Sequence, residues 1–129
     1  MPSTSTDEIP QRDWSYFFDV FSLRHRGWIA SLELLDPEIG DQMEASHMRF
    51  EGVTYEASRH RPDAIELMFG GSPSDHVTHT IRGPRFVRLE RTELENGTFE
   101  TLEIECSRGP VALVRFHAGV TPEMETLDD

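Results

Sequence analysis

Two strand-like segments joined by Asn96-Gly97 constrain the fold more than any other feature of the chain. Residues 85–94 and 98–106 both alternate β-branched and apolar residues with Arg, Glu and Thr. Asn-Gly between two such segments is the strongest short-range signal for a hairpin, because both central residues of a type I′ turn need a positive φ. The sequence therefore predicts an antiparallel hairpin at this place.

Similar short segments recur from Trp28 onward, separated by turns that are rich in Gly, Pro and Asp. Besides the hairpin, we predict strands at residues 28–35, 43–50, 53–57, 64–69, 76–81 and 111–117. Glu51-Gly52 is predicted to be a tight turn between the second and third of these strands. Since the links are short and no second helix is predicted, the pairing should be mainly antiparallel.

Residues 11–25 have the pattern of an amphipathic helix. The aromatic residues follow the i, i+3, i+4, i+7 spacing of one helical face: Trp14, Phe17, Phe18 and Phe21. Residues 24–26 are basic and precede Gly27, which is typical of a helix end. The predicted fold class is therefore α+β, with one N-terminal amphipathic helix packed on an antiparallel meander of about eight strands, as a curved sheet or a partly closed barrel.

The length of 129 residues indicates a single domain, which we place at residues 9–118. Residues 1–8 are rich in Ser and Thr and are predicted to be disordered, and residues 119–129 are predicted to be an acidic, solvated tail. Cys106 is the single cysteine, so it forms no internal disulfide, and we expect it to be a small buried hydrophobic residue. The chain shows no signal peptide or membrane-spanning segment, which predicts a cytoplasmic location without membrane association.

The formal net charge is −12, and this charge argues against binding to nucleic acid or anionic lipid. All 12 basic residues are arginines. A genome rich in GC codons explains that bias more simply than anion recognition does. The recurrence of Arg82, Arg85, Arg88 and Arg91 predicts cross-strand pairing with glutamates of the hairpin rather than a phosphate-binding cluster.

Several segments together resemble a small bacterial family of unknown function, DUF5335. They are Ile9-Pro10, Trp14, residues 17–21, residues 25–28, residues 76–81, Pro84, residues 87–90, residues 102–105 and Arg115-Phe116. The segment His-Val-Thr-His-Thr-Ile at residues 76–81 is the most specific of them. The resemblance covers nearly the whole chain apart from its ends. It implies a bacterial, cytoplasmic, single-domain protein, and it carries no catalytic role to any residue.

His76 and His79 are the first candidates for a binding site. On a strand these two residues point to opposite faces, which argues against a shared metal site, and His79 shares a face with Val77 and Ile81. We take His76, His79, Arg82 and Trp28 as candidate ligand-binding residues and predict no catalytic residue, metal or cofactor.

The leading functional prediction is a noncatalytic binding or accessory domain whose partner is another protein or a small ligand. One alternative is a small metal-dependent or acid/base enzyme centred on His76, His79 and the loop at residues 70–75. The other alternative is a structural module that self-associates through an exposed edge strand.

Overall fold

One helix and eight strands make up the part of the chain that the computed structural model describes, namely residues 3–72, 75–95 and 97–117 without the side chains of residues 71, 72 and 117. The helix α1 spans Trp14–His25 and follows a 3₁₀ turn at Gln11–Asp13. The strands are β1 (Ser3–Glu8), β2 (Ile29–Asp36), β3 (Gly40–Glu56), β4 (Ala64–Ser72), β5 (Asp75–Arg82), β6 (Pro84–Leu94), β7 (Gly97–Cys106) and β8 (Val111–His117).

All pairings between the described strands are antiparallel, and they form one sheet in the order β1-β6-β7-β8-β2-β3-β4-β5. The sheet does not close, so β1 and β5 are its edges. The predicted α+β class is confirmed, with its N-terminal helix and its antiparallel meander.

The aromatic face of α1 explains why the helix forms here and why it lies on the sheet. The buried aromatic residues and His25 are spaced at i, i+4, i+7 and i+11: Trp14, Phe18, Phe21 and His25. Phe21 meets Phe116 edge to face with ring centroids 5.3 Å apart, and Phe116 meets Phe50 in the same way at 4.9 Å. Such edge-to-face pairs are the preferred geometry of aromatic rings. The core therefore lies between the helix and the inner face of the sheet.

The end of the helix is fixed to the sheet by the backbone. Gly27 has φ +90, a conformation that favours glycine at a helix end. Its N–H donates to the carbonyl of Phe50 at 2.8 Å, and the N–H of Phe50 donates to Trp28 at 2.8 Å. The helix therefore passes directly into the first strand of the core.

The predicted turn at Glu51-Gly52 is wrong, because both residues lie inside the single long strand β3. Phe50 pairs with Phe69 and Gly52 with Met68, so Glu51 forms a bulge instead of a reversal. A Cβ at Gly52 would lie 3.5 Å from the Ser22 hydroxyl oxygen. Gly52 thus allows a close approach of the strand to the helix. From the sequence alone, this glycine predicted a turn.

Residues 3–8, where the sequence predicts disorder, form the edge strand β1. Their side chains are all exposed, so the segment has no hydrophobic alternation that would predict a strand. It is held by pairing with β6, by the 3.2 Å contact of the Thr4 and Thr92 hydroxyl groups, and by the Glu8–Arg88 ion pair at 3.2 Å. The predicted acidic tail at residues 119–129 lies outside the described residues.

The hairpin predicted around Asn96-Gly97 is confirmed as β6 and β7. Its register pairs Leu94 with Gly97, so Gly97 closes the turn instead of occupying its centre. Asn96 itself lies outside the described residues.

Candidate functional site

A slot lies between the C-terminal half of the edge strand β5 and the turn that joins β7 to β8. On one side the slot is lined by a run of consecutive β5 residues, His79, Thr80, Ile81 and Arg82. On the other side it is lined by Cys106 at the end of β7, by Arg108 and Pro110 of the following turn, and by Ala112 of β8. We call this space, of about 290 Å³, the edge slot.

A run of consecutive residues shows which part of the strand lines the slot. Successive side chains of a strand point to opposite faces, so a pocket on one face is lined by every second residue. In the edge slot both kinds of residue appear, since Ile81 is buried in the core and Arg82 is exposed on the other face. The wall of the slot is therefore the backbone edge of β5.

One end of the slot is closed by the chain itself. The N–H of Gly83 donates to the carbonyl of Asp63 at 2.8 Å, and the N–H of Ser107 donates to the carbonyl of Gly83 at 3.1 Å. Immediately afterwards Pro84 pairs with Cys106, so that β6 takes the place beside β7. The slot thus ends where β5 continues into β6.

The titratable groups of the slot are poorly suited to nucleophilic catalysis. Burial lowers the pKa of His79 below its usual value and outweighs the opposing effect of Glu44, so the imidazole is neutral at neutral pH. The Cys106 thiol donates to the carbonyl oxygen of Arg108 at 2.7 Å. The thiol therefore donates its hydrogen bond to a backbone carbonyl, whereas a catalytic cysteine is usually activated by an imidazole that acts as a base.

The structure brings together two of the four predicted binding residues, His79 and Arg82. His76 lies on the opposite, exposed face, with its Nδ1 3.9 Å from a carboxylate oxygen of Glu51. Trp28 lies at the far end of the helix, against the ring of His25 at a centroid distance of 4.4 Å. The candidate residues therefore belong to three separate places.

The loop predicted at residues 70–75 is shorter than expected, because β4 continues to Ser72 and β5 begins at Asp75. Pro73 and Ser74, which lie between them, fall outside the described residues. Within the described part of the chain, no three His, Cys, Asp or Glu side chains lie close enough together to hold a metal ion.

A second cluster, which the sequence analysis missed, joins the helix to the sheet through buried charges. His25 is 5% exposed and Glu100 is 3% exposed. The Nε2 of His25 donates to one carboxylate oxygen of Glu100, and Arg91 donates to the other oxygen through Nε at 3.0 Å and Nη2 at 2.7 Å. The second ring nitrogen of His25 lies 2.9 Å from the carbonyl oxygen of Phe21. We call these three residues, of which His25 and Glu100 are buried and Arg91 is half exposed, the buried triad.

The protonation state of the buried triad follows from its partners. Burial opposes ionisation of Glu100, but the hydrogen bonds from His25 and Arg91 outweigh it and hold the pKa of Glu100 below its usual value. Both ring nitrogens of His25 face oxygen atoms, the Phe21 carbonyl and the Glu100 carboxylate, so neither nitrogen lacks a partner. The ring also stacks on Phe21 with centroids 3.9 Å apart. Every polar atom of the His25 and Glu100 side chains is occupied, so this cluster fixes the helix and offers no free base.

Two signals in the sequence point to the buried triad. His25 lies four residues after Phe21 and continues the aromatic face, although its basic neighbours make it look like a helix-end cation. Glu100 shares the inward face of β7 with Leu102 and Ile104, and Arg91 lies opposite it in the register. A carboxylate in an apolar alternation needs a cationic partner.

The predicted pairing of hairpin arginines with glutamates is confirmed for two of them. Arg88 contacts Glu103 at 2.6 Å and Glu105 at 3.1 Å on the outer face, and Arg91 pairs with Glu100. These contacts stabilise the strand register.

The comparisons with known proteins concern the family and not an activity. Residues 5–123 match the model of a family of unknown function, DUF5335. The chain belongs to this family. The resemblance seen in the sequence is thereby confirmed. An uncharacterised protein of Aquifex aeolicus (strain VF5) is 27% identical over 116 residues, which cover 90% of this DUF5335 chain and 96% of that protein. No solved structure matches the chain significantly, and no described helix is long and apolar enough to cross a membrane.

Proposed function

We propose that this DUF5335 protein is a noncatalytic binding domain that receives an extended polypeptide segment of a partner protein along the free edge of β5. The observation that carries the proposal is the lining of the edge slot by consecutive residues of an edge strand, from His79 to Arg82. Peptides that add a strand to a sheet bind through main-chain hydrogen bonds, and pockets for alternate side chains provide their specificity.

The edge of β5 is suited to this mode of binding. Among the described strands β5 pairs with β4 alone, so alternate residues direct their N–H and C=O groups away from the sheet. Proteins commonly protect such edges with lysine, proline or a bulge. The described residues of β5 include no proline, and the register shift in its pairing with β4 lies before Val77, away from residues 79–82. Its inward residues Val77 and Ile81 contribute to the core and would offer an apolar surface to the inward side chains of an added strand.

Binding is favoured over catalysis by the state of the polar groups. The buried triad has no unoccupied atom on His25 or Glu100. In the edge slot the Cys106 thiol donates to a carbonyl oxygen. We also propose a cytoplasmic location, which a single free thiol suits because cytosolic cysteines are kept reduced.

The test is a selection with a random heptapeptide display library in two formats, one with a free peptide C-terminus and one with the peptide embedded between two folded domains. We expect at least one format to yield peptides with alternating apolar residues. Bound peptide should slow alkylation of Cys106 by iodoacetamide, because the thiol lies in the slot. Absence of enriched peptides in both formats, or enriched peptides that leave the alkylation rate unchanged, would contradict the proposal.

Two controls distinguish peptide binding from the two alternative functions, a nucleophilic enzyme and a self-associating module. The Cys106→Ser variant should bind the selected peptide within a few-fold of the wild type, whereas a nucleophilic enzyme would require the thiol. Sedimentation at increasing protein concentration should show a monomer. A dimer that dissociates when the peptide is added would instead assign the β5 edge to a second copy of this chain.

A further inference from the structure

We infer that binding at the edge slot is regulated by pH, because the slot holds the bound segment while the imidazole of His79 is neutral and releases it when this ring takes up a proton. The inference rests on the proposed function, since it names how binding at the β5 edge is controlled. It is carried by the position of His79 in the slot, on the inward side of the edge strand.

His79 lies where an added strand would cover it. Its neighbour on β4 is Leu67, which is fully buried, and Val77 and Ile81 lie before and after it on the same face of β5. Across the slot the wall includes the apolar Ala112 of β8. A strand added at the free edge of β5 would place one residue directly opposite His79, with Cβ atoms about 4.5–5.5 Å apart. Binding would therefore enclose the ring between two strands.

The ring of His79 depends on solvent in the free protein. Its two nitrogens form no hydrogen bond or ion pair with the described residues. Yet no side-chain nitrogen or oxygen that is buried in that part of the chain lacks a hydrogen-bond partner. Solvent therefore reaches the His79 nitrogens. A strand lying in the slot would separate them from it.

The groups around the slot do not compensate a positive charge on His79. Glu44 of β3 favours the charged ring, but burial has the larger effect and lowers the pKa of His79 already in the free protein. The Cys106 thiol across the slot donates to a backbone carbonyl. The charged residues that line the slot, Arg82 and Arg108, are both cationic. Since a bound segment adds further desolvation, it binds the protein with a neutral ring more tightly than the protein with a charged one.

The direction of the pH effect follows from linkage. A segment that prefers the neutral ring lowers the pKa of His79 further, so binding releases a proton wherever the free protein is partly protonated at this site. Above the pKa of His79 in the free protein, affinity should not depend on pH. Below it, affinity should fall by at most about tenfold per pH unit, because one proton is involved.

The test is fluorescence polarisation with a peptide selected from the library at pH 7.5, free of His, Asp and Glu and acetylated at its N-terminus, so that the peptide itself does not titrate. Between pH 7.5 and 5.5 at constant ionic strength, while circular dichroism shows that the protein is folded, the wild type should lose affinity several-fold. His79→Gln should keep nearly the same affinity over this range. The matched control is His76→Gln, which removes a histidine from the exposed face of the same strand and should behave like the wild type.

A proton count provides a measurement that needs no variant. Isothermal titration calorimetry at pH 6, in two buffers of different ionisation enthalpy, should show that binding of the peptide to the wild type releases protons. Affinity that stays constant or rises on acidification, proton uptake on binding, or the same pH dependence in His79→Gln as in the wild type would overturn the inference and leave β5-edge binding intact. Absence of peptide binding at pH 7.5 would overturn the proposed function as well.

Discussion

The buried ion pair between Glu100 and His25 allows a quantitative test of how the helix is held on the sheet. In Glu100→Leu the Nε2 of His25 loses its carboxylate partner, while the ring remains enclosed by Phe21, Trp28 and Phe116. Leaving a buried polar group without its hydrogen-bond partner typically costs about 1–3 kcal/mol. Since His25 is 5% exposed, solvent cannot replace the lost partner, and we expect a value in that range at pH 7.

The reverse change should cost less. In His25→Leu the carboxylate of Glu100 keeps both of its hydrogen bonds from Arg91, at 3.0 and 2.7 Å. The double variant removes both members of the buried pair and replaces them with apolar side chains, a substitution that is often close to neutral. We therefore expect the double variant to be more stable than the sum of the single losses predicts, with a coupling energy of roughly 1–2 kcal/mol.

Urea denaturation of the four proteins at pH 7, followed by circular dichroism, measures these free energies of unfolding. The dependence of the free energy of unfolding on urea concentration should be the same in all four proteins, because only then is the same transition compared. Single losses that simply add in the double variant would show that His25 and Glu100 do not stabilise each other. A loss below about 1 kcal/mol in Glu100→Leu would mean that the carboxylate is solvated and not buried.

Three further predictions follow from the packing and the charges. Phe18→Ala should lower the free energy of unfolding by about 3–5 kcal/mol, and Phe17→Ala by clearly less, because Phe18 is fully buried and Phe17 only partly; equal losses in urea melts would contradict this. The pKa of His79 is lowered in the folded protein, so the unfolded state takes up its proton at a higher pH, and stability should fall as the pH drops below about 6.5. In thermal melts between pH 7 and 5, His79→Gln should therefore lose less stability than the wild type. An identical loss of stability would argue against burial of the ring. Arg88→Gln should cost less than about 1 kcal/mol because its partners Glu103 and Glu105 are partly solvated, and a larger loss would mean that this outer cluster acts as a buried network.

The features that the sequence predicts well are those in which local pattern and tertiary packing agree. The helix is predicted because its aromatic spacing both suits a helix and covers the sheet. The hairpin of β6 and β7 is predicted because turn residues separate two alternating segments. In both cases most of the apolar residues whose spacing predicts the element are also packed in the core.

The features that the sequence does not predict depend on neighbours far along the chain. Gly52 looks like a turn residue, but it allows β3 to pass close to Ser22. The strand β1 has no apolar residues and forms because β6 offers it an edge. Glu100 and His25 are separated by 75 positions, so neither residue by itself reveals the ion pair.

The candidate site was predictable only in part. Strand alternation correctly places His79 with Val77 and Ile81 on the inward side, away from His76. Which strand would be left at the edge depends on the order of all eight strands, which no local pattern specifies. The edge slot and its closed end therefore became visible only in the folded chain.

Amide hydrogen exchange along the two edge strands tests the central claim most directly. In the free protein, alternate amides of β5 should exchange rapidly because they point away from β4, and alternate amides of β1 should do the same at the other edge. Binding of a selected peptide should protect the outward amides of β5 and leave those of β1 unchanged. Protection of β1 instead, or unchanged exchange in β5 when the peptide is saturating, would contradict binding at the β5 edge.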